Sequence, residues 1–255
     1  MTDTFPRQHA RTQRLTLGAP RNLRVVADDT TLLFLRSTSG SDPVNRLWKL
    51  DLASGTETLI GDPPALLAAG ADDRADLPPE ERARRERMRE GAGGITAYAT
   101  DRTGAIAVFA LAGRLFVTDV AAGTTTELGV DGPVFDPRPS PDGALIAYVR
   151  GSALCVVDRD GAPVATIAEP GDRPGANTVS WGSADFVAAE EMHRFRGYWW
   201  SPDGTALATC RVDEAPVHVW HIADPANPGT PPQPVRYPSA GTPNTDVELY
   251  VVHLD

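Results

Sequence analysis

The stretch "SPDGALIAYVR", Ser140 to Arg150, runs a tight turn directly into an apolar strand. Proline presets φ at the turn's second position, aspartate accepts local backbone hydrogen bonds, and glycine takes the positive φ. The same construction returns as "SPDGTALATCR" from Ser201 and as "TDRTGAIAVFA" from Thr100, and more loosely as "DDTTLLFLRS" from Asp28. A second strand ending in a turn follows three of these copies: "LWKLDLASGTETL" from Leu47, "LFVTDVAAGTTTEL" from Leu115 and "LCVVDRDGAPVATI" from Leu154.

Two landmarks advance together. Gly104 and Gly143 are 39 residues apart, and so are Asp119 and Asp158. A repeat of about 40 residues with several short strands is the signature of a propeller blade of four strands. Helical solenoids are excluded, because the blocks lack a 3.6-residue period. The expected fold is therefore all-β: a β-propeller of about four blades plus part of a fifth, the latter being "VELYVVHLD", Val247 to Asp255. Such an array cannot close a ring of seven or eight blades and leaves strand edges unpaired. The expectation is an N-terminal piece of a longer protein. Residues 1–22 are assigned to an arm and 23–255 to the partial propeller.

The period breaks twice. Asp51 and Asp119 are 68 residues apart, and the surplus holds "LPPEERARRERMREGAGG". Proline at its start, helix formers through it and glycine at its end predict a helix over about 79–90. Its Glu/Arg pattern supplies i,i+4 pairs and little apolar face, so it is expected to lie on the surface, solvated or contacting a partner. Gly143 and Gly204 are 61 residues apart, and this surplus includes 184–198, "ADFVAAEEMHRFRGY". Insertions in a propeller emerge at a rim or over the central opening, where loops carry function. Trp199 and Trp200, just after it, are read as packing between blades.

Composition narrows the function. The 255 residues carry a net charge of −10, against a nucleic-acid or anionic-membrane surface. No apolar run approaches the length of a membrane span, and the first residues lack a signal peptide's apolar core. Cys155 and Cys210 fit no metal spacing and read as free thiols of a reducing cytoplasm. His218 and His221, three apart on a strand, face opposite ways and make poor co-ligands. No metal and no cofactor are expected. No Gly-x-Ser-x-Gly occurs, so no catalytic residue can be nominated. Glu190-Glu191 stands out: a paired negative charge open to reading as solvated surface, metal site, acid/base pair or clamp for a cation. Adjacent residues seldom set carboxyls on opposite sides of a glycosidic bond, which counts against the acid/base reading.

The run Asp185-Phe186-Val187-Ala188-Ala189-Glu190-Glu191-Met192, with Tyr198-Trp199-Trp200-Ser201-Pro202-Asp203-Gly204, resembles the N-terminal propeller of dipeptidyl peptidase IV enzymes, in the prolyl oligopeptidase class of serine peptidases. Arg211 to Val217, and Tyr237 to Asn244 leading to Leu249 through Val252, extend the resemblance, which covers about 95–255. It implies an eight-bladed ring capping an α/β-hydrolase domain, and a short helical insertion whose two adjacent glutamates hold the substrate's N-terminal ammonium. That role falls on Glu190 and Glu191. The family often has a third acidic residue and an aromatic before the pair; here those places hold Ala189 and Ala188. Arg114 lies in the region that supplies a carbonyl-binding arginine, but no motif fixes the alignment there.

On that resemblance the chain is expected to recognise free peptide amino termini and gate an active site. Its hydrolase domain would lie outside these residues, leaving the chain inactive alone. The implied partners are peptides with a free N-terminus and that missing domain, with a homo-oligomer left open for the whole enzyme. The alternative of another class is a non-catalytic propeller that binds proteins.

Overall fold

Short apolar strands separated by glycine-bearing turns form four successive antiparallel sheets. The structure is a computed structural model in which residues 3–27, 29–67, 77, 79–87, 90–171 and 178–254 are described. After the helix α1 (Phe5–Arg11), the first blade orders β1 (Arg21–Val26), β2 (Thr31–Arg36), β3 (Val44–Asp51) and β4 (Glu57–Gly61) side by side. The helices α2 (Pro63–Leu66) and α3 (Pro79–Arg87) follow, and then β5 (Gly93–Gly94), which pairs in parallel with β3. The second blade holds β6 (Ala99–Thr100), β7 (Ile106–Leu111), β8 (Arg114–Asp119) and β9 (Thr124–Leu128). The third holds β10 (Phe135–Pro139), β11 (Leu145–Arg150), β12 (Ala153–Asp158) and β13 (Pro163–Ile167).

The quoted turn closes as its chemistry requires. Ser140 Oγ donates to Asp142 Oδ1 at 2.5 Å and accepts from the amide of Leu145, while Gly143 takes φ +72°. Ser201, Asp203, Ala206 and Gly204 repeat the pattern one blade later. Gly104, the counterpart in the second blade, has φ +74° and meets the first blade so closely that a Cβ there would lie 2.2 Å from Val26 Cβ. Both constraints select glycine.

Three apolar clusters join the blades in sequence. Leu33, Leu35 and Leu47 pack with Phe109 and Phe116; Ile106 and Val108 with Ile146 and Tyr148; Phe135, Val149 and Leu154 with Trp181, Tyr198 and Leu207. The last junction is also hydrogen-bonded. The Tyr198 hydroxyl, fully buried, reaches the carbonyls of Asp136 and Ala147 at 2.5 and 2.9 Å, and Trp200 Nε1 donates to the Arg138 carbonyl at 3.1 Å. Trp200 thus joins neighbouring blades, as its sequence position suggests.

The fourth blade is built differently. Its long strand β16 (Ala206–Asp213) pairs at one end with β14 (Val179–Trp181) and at the other with β15 (Tyr198–Trp200), the helix α4 (Phe186–Glu191) lying between those two. On its other side β16 pairs along its whole length with β19 (Asp246–His253). The chain reaches β19 through a separate hairpin, β17 (Val219–Ile222) with β18 (Gln233–Arg236). The stretch from Val247 is therefore a strand of the fourth blade and not the opening of a fifth. An inserted hairpin delays it in sequence, which spacing alone mistakes for a new block.

The helix expected over 79–90 is present as α3, with residues 88 and 89 outside the described residues. It is not the solvated surface helix expected. Glu81 and Arg85 are buried, and the Glu81 carboxylate accepts from Arg84 Nε and Nη2 and from Arg85 Nε, each at 2.7 Å, and from Thr96 Oγ1 at 3.2 Å. Burial alone would raise the Glu81 pKa; the hydrogen bonds and charges of Arg84 and Arg85 outweigh it and hold the carboxyl below its ordinary 4.5. Charged side chains dock this helix where apolar ones are lacking.

Candidate functional site

The acidic pair sits on an excursion from the fourth blade. β14 and β15 lie along the same flank of β16 as one strand in two pieces, and the chain leaves between them from Gly182 to Gly197. Both ends are tied to one residue. Gly182 N donates to the Cys210 carbonyl at 3.0 Å, and Cys210 N donates to the Gly197 carbonyl at 2.8 Å. The neck is tight enough that a Cβ on Gly197 would lie 2.4 Å from backbone atoms of Gly182 and Ser183.

Within the excursion α4 is short and firmly capped. Asp185 is its N-cap: one carboxylate oxygen accepts from Ala188 N at 3.1 Å, and the other accepts from Arg194 Nη2 at 3.0 Å. His193 takes φ +52° and ends the helix, so that Arg194 turns back toward its start and donates its amide to the Ala188 carbonyl. Ala188 and Ala189 are buried beneath.

Glu190 and Glu191 occupy the last turn of α4, about 100° apart around its axis. Both lie at the C-terminus of the helix, where the helix dipole disfavours negative charge and favours a cation nearby. Glu190 has one. Arg87 Nε, from the last residue of α3, donates to Glu190 Oε1 at 3.0 Å, and its guanidinium lies 5.1 Å from the Phe186 ring centre. Phe186 meets Tyr237 edge to face at 5.2 Å. Glu191 is exposed and makes no ion pair or side-chain hydrogen bond among the described residues.

Two clefts adjoin this point, with Phe195 in the wall of each. One of about 410 Å³ lies beside α4 and is lined by Arg87, Phe186, Ala189, Glu214 and Arg236 among others. Burial is the main influence on Glu214 and raises its pKa, against the opposing charges of Arg236 and Arg87. The other, about 220 Å³, lies between α3 and the second and third blades and holds Glu81, Arg84, Asp136, Arg138 and Arg196. Burial pushes the Asp136 carboxyl up despite the Arg138 guanidinium, which donates to both its oxygens. Neither Glu190 nor Glu191 forms part of either wall. Glu190 reaches the larger cleft through Arg87.

The structure thus brings Glu190 beside a residue that the sequence did not single out, 103 positions away. Asp185, the N-cap, was not singled out from the sequence either, although an aspartate just before a run of helix formers is a local signal for that place. Arg87 carried no local signal, since nothing near it in sequence names its partner. Arg114, on β8, is paired with Glu127 on the adjacent strand, both exposed. Cys155 and Cys210 are buried free thiols, and the Cys210 Sγ lies 3.8 Å from Arg194 Nη1. Among the described residues no group of three or more His, Cys, Asp or Glu is placed to hold a metal ion. Nor is any helix among them long and apolar enough to cross a membrane.

Comparison with known proteins bears on these elements. The family model for the dipeptidyl peptidase IV N-terminal region matches residues 107–255. Dipeptidyl aminopeptidase B of Saccharomyces cerevisiae is 27% identical over 147 residues, 56% of this chain and 17% of the relative. Dipeptidyl peptidase 4 of Felis catus is 30% identical over 120 residues, 46% of this chain and 15% of the relative. The chain therefore spans only a small part of these relatives. The crystal structure of Porphyromonas gingivalis dipeptidyl peptidase 4 superposes with a TM-score of 0.58 at 20% identity, over 91% of this chain and 31% of that one, a likeness of fold. With the matched region running through the second, third and fourth blades and the Glu190-Glu191 excursion, the chain belongs to the dipeptidyl peptidase IV N-terminal region family.

Proposed function

We propose that this chain is the substrate-recognising propeller of a dipeptidyl peptidase-like serine exopeptidase. Glu190 and Glu191 hold the free amino terminus of a peptide, and the propeller controls passage to an active site on an α/β-hydrolase domain of the same polypeptide. One observation carries the reading. The acidic pair stands on an excursion fixed at both ends to Cys210, and Glu190 already engages a cationic nitrogen. Carboxylates so placed accept the three donors of an ammonium, and an acylated amine offers neither the charge nor the donors. An exopeptidase needs that discrimination, because it counts residues from the chain end. The buried free thiols support a reducing cytoplasm as its location.

In the full-length protein, Glu190→Gln with Glu191→Gln is expected to lower kcat/KM for a chromogenic dipeptidyl reporter by about a hundredfold, since charge-assisted hydrogen bonds are the strong ones. The fold should be unchanged by circular dichroism. Cleavage retained at the wild-type rate removes the assignment.

A second reading has an observation of its own. The β17–β18 hairpin projects Trp220, Ile222 and Tyr237, which are 48%, 58% and 45% exposed. Apolar residues on a two-stranded ribbon favour contact with another protein. A propeller that serves only such contacts would lose binding on Trp220→Ser and be indifferent to the glutamate substitutions.

A further inference from the structure

We infer that Arg87 is an internal stand-in for the substrate's ammonium, resting on Glu190 until a free amine displaces it; the inference depends on the clamp reading above. The two segments that interrupt the blade repeat meet here. Arg87 ends α3, Glu190 lies in the last turn of α4, and the contact is a 3.0 Å hydrogen bond between opposite charges. The guanidinium is held on a second side by Phe186, one turn earlier on α4. It offers a carboxylate what an ammonium offers: a full positive charge and N–H donors. An amine that claims both oxygens of Glu190 must therefore move Arg87 aside or accept its repulsion at close range.

The two ends of α3 are held unequally. Its first turns are anchored by the Glu81 carboxylate, which gathers Arg84, Arg85 and Thr96. Arg87 lies beyond that network, at the end of the helix, so releasing it leaves the network in place. The pair is also weak enough to yield. The Arg87 and Glu190 side chains are 24% and 37% exposed, and ion pairs that open to solvent contribute little. Arg87 thus acts as a competitor for the Glu190 carboxylate. A neutral or acylated chain end has no means to displace a guanidinium from a carboxylate, whereas an ammonium does.

The test is binding of a proline-containing dipeptide amide with a free amine, and of its N-acetyl counterpart, to the full-length protein by calorimetry. Arg87→Met, which keeps the stem and removes the charge, should tighten the free-amine ligand about two- to fivefold, the range for an exposed pair. Arg87→Lys should retain the wild-type affinity. Binding of the acetylated ligand should stay unmeasurable in all three. Thermal melting checks that each variant is folded. Unchanged or weaker binding to Arg87→Met, with binding abolished by Glu190→Gln, overturns the stand-in role and leaves the clamp standing. Wild-type affinity in both Glu190→Gln and Glu191→Gln removes the clamp and the inference with it.

Discussion

Gly197 shows how much one residue governs at this site. Its missing side chain lets the two strands of the neck approach, and its carbonyl accepts from Cys210. Gly197→Ala sets a Cβ 2.4 Å from the backbone of Gly182 and Ser183, and backbone cannot swing aside as a flexible side chain does. The expected cost is about 1–3 kcal/mol, the range for overfilling a packed site, read as a lowered urea midpoint. A midpoint equal to wild type would show that the neck relaxes freely. Residue identity in the sequence conveyed part of this. The Ser-Pro-Asp-Gly turns and the Trp200 junction followed from local chemistry. The neck did not, because its meaning comes from Cys210, which lies on the next strand.

At the scale of elements, α3 was legible as a helix and illegible as a docked one. Proline at its start and the Glu/Arg run define it, and Glu81 does pair with Arg85 at i,i+4. What the pattern omits is Thr96 and the cleft wall, which turn a charged stripe into a buried contact. Glu81→Gln should destabilise the chain by about 3 kcal/mol at neutral pH, as for a buried pair that loses one partner. The pH dependence follows from the lowered pKa. The charged carboxylate stabilises the fold above its ordinary 4.5, and that contribution is lost as pH falls below 4.5 through the folded value. The gap in denaturation midpoint between wild type and Glu81→Gln should therefore narrow from neutral pH to about pH 3. A constant gap would mean that Glu81 does not act through its charge.

Across the whole molecule, the repeat was readable because turn chemistry recurs at fixed spacing, and the fourth blade was misjudged because two insertions interrupt it. β19 forms one edge of that blade and exposes Val247, Leu249 and Val251 at 44%, 66% and 63% on one face. Long apolar edges promote pairing between molecules. Leu249→Lys with Val251→Lys should shift the 255-residue chain toward monomer in sedimentation velocity at high concentration, and an unchanged profile would clear that edge of any part in association. The split strand carries a different consequence. Adding a residue within Val179–Trp181 or Tyr198–Trp200 would turn every following side chain to the opposite face of the sheet. Changing the length between 183 and 196 alters neither ladder. The segment that carries Glu190 and Glu191 can thus be lengthened or retuned while the sheet beneath it keeps its register.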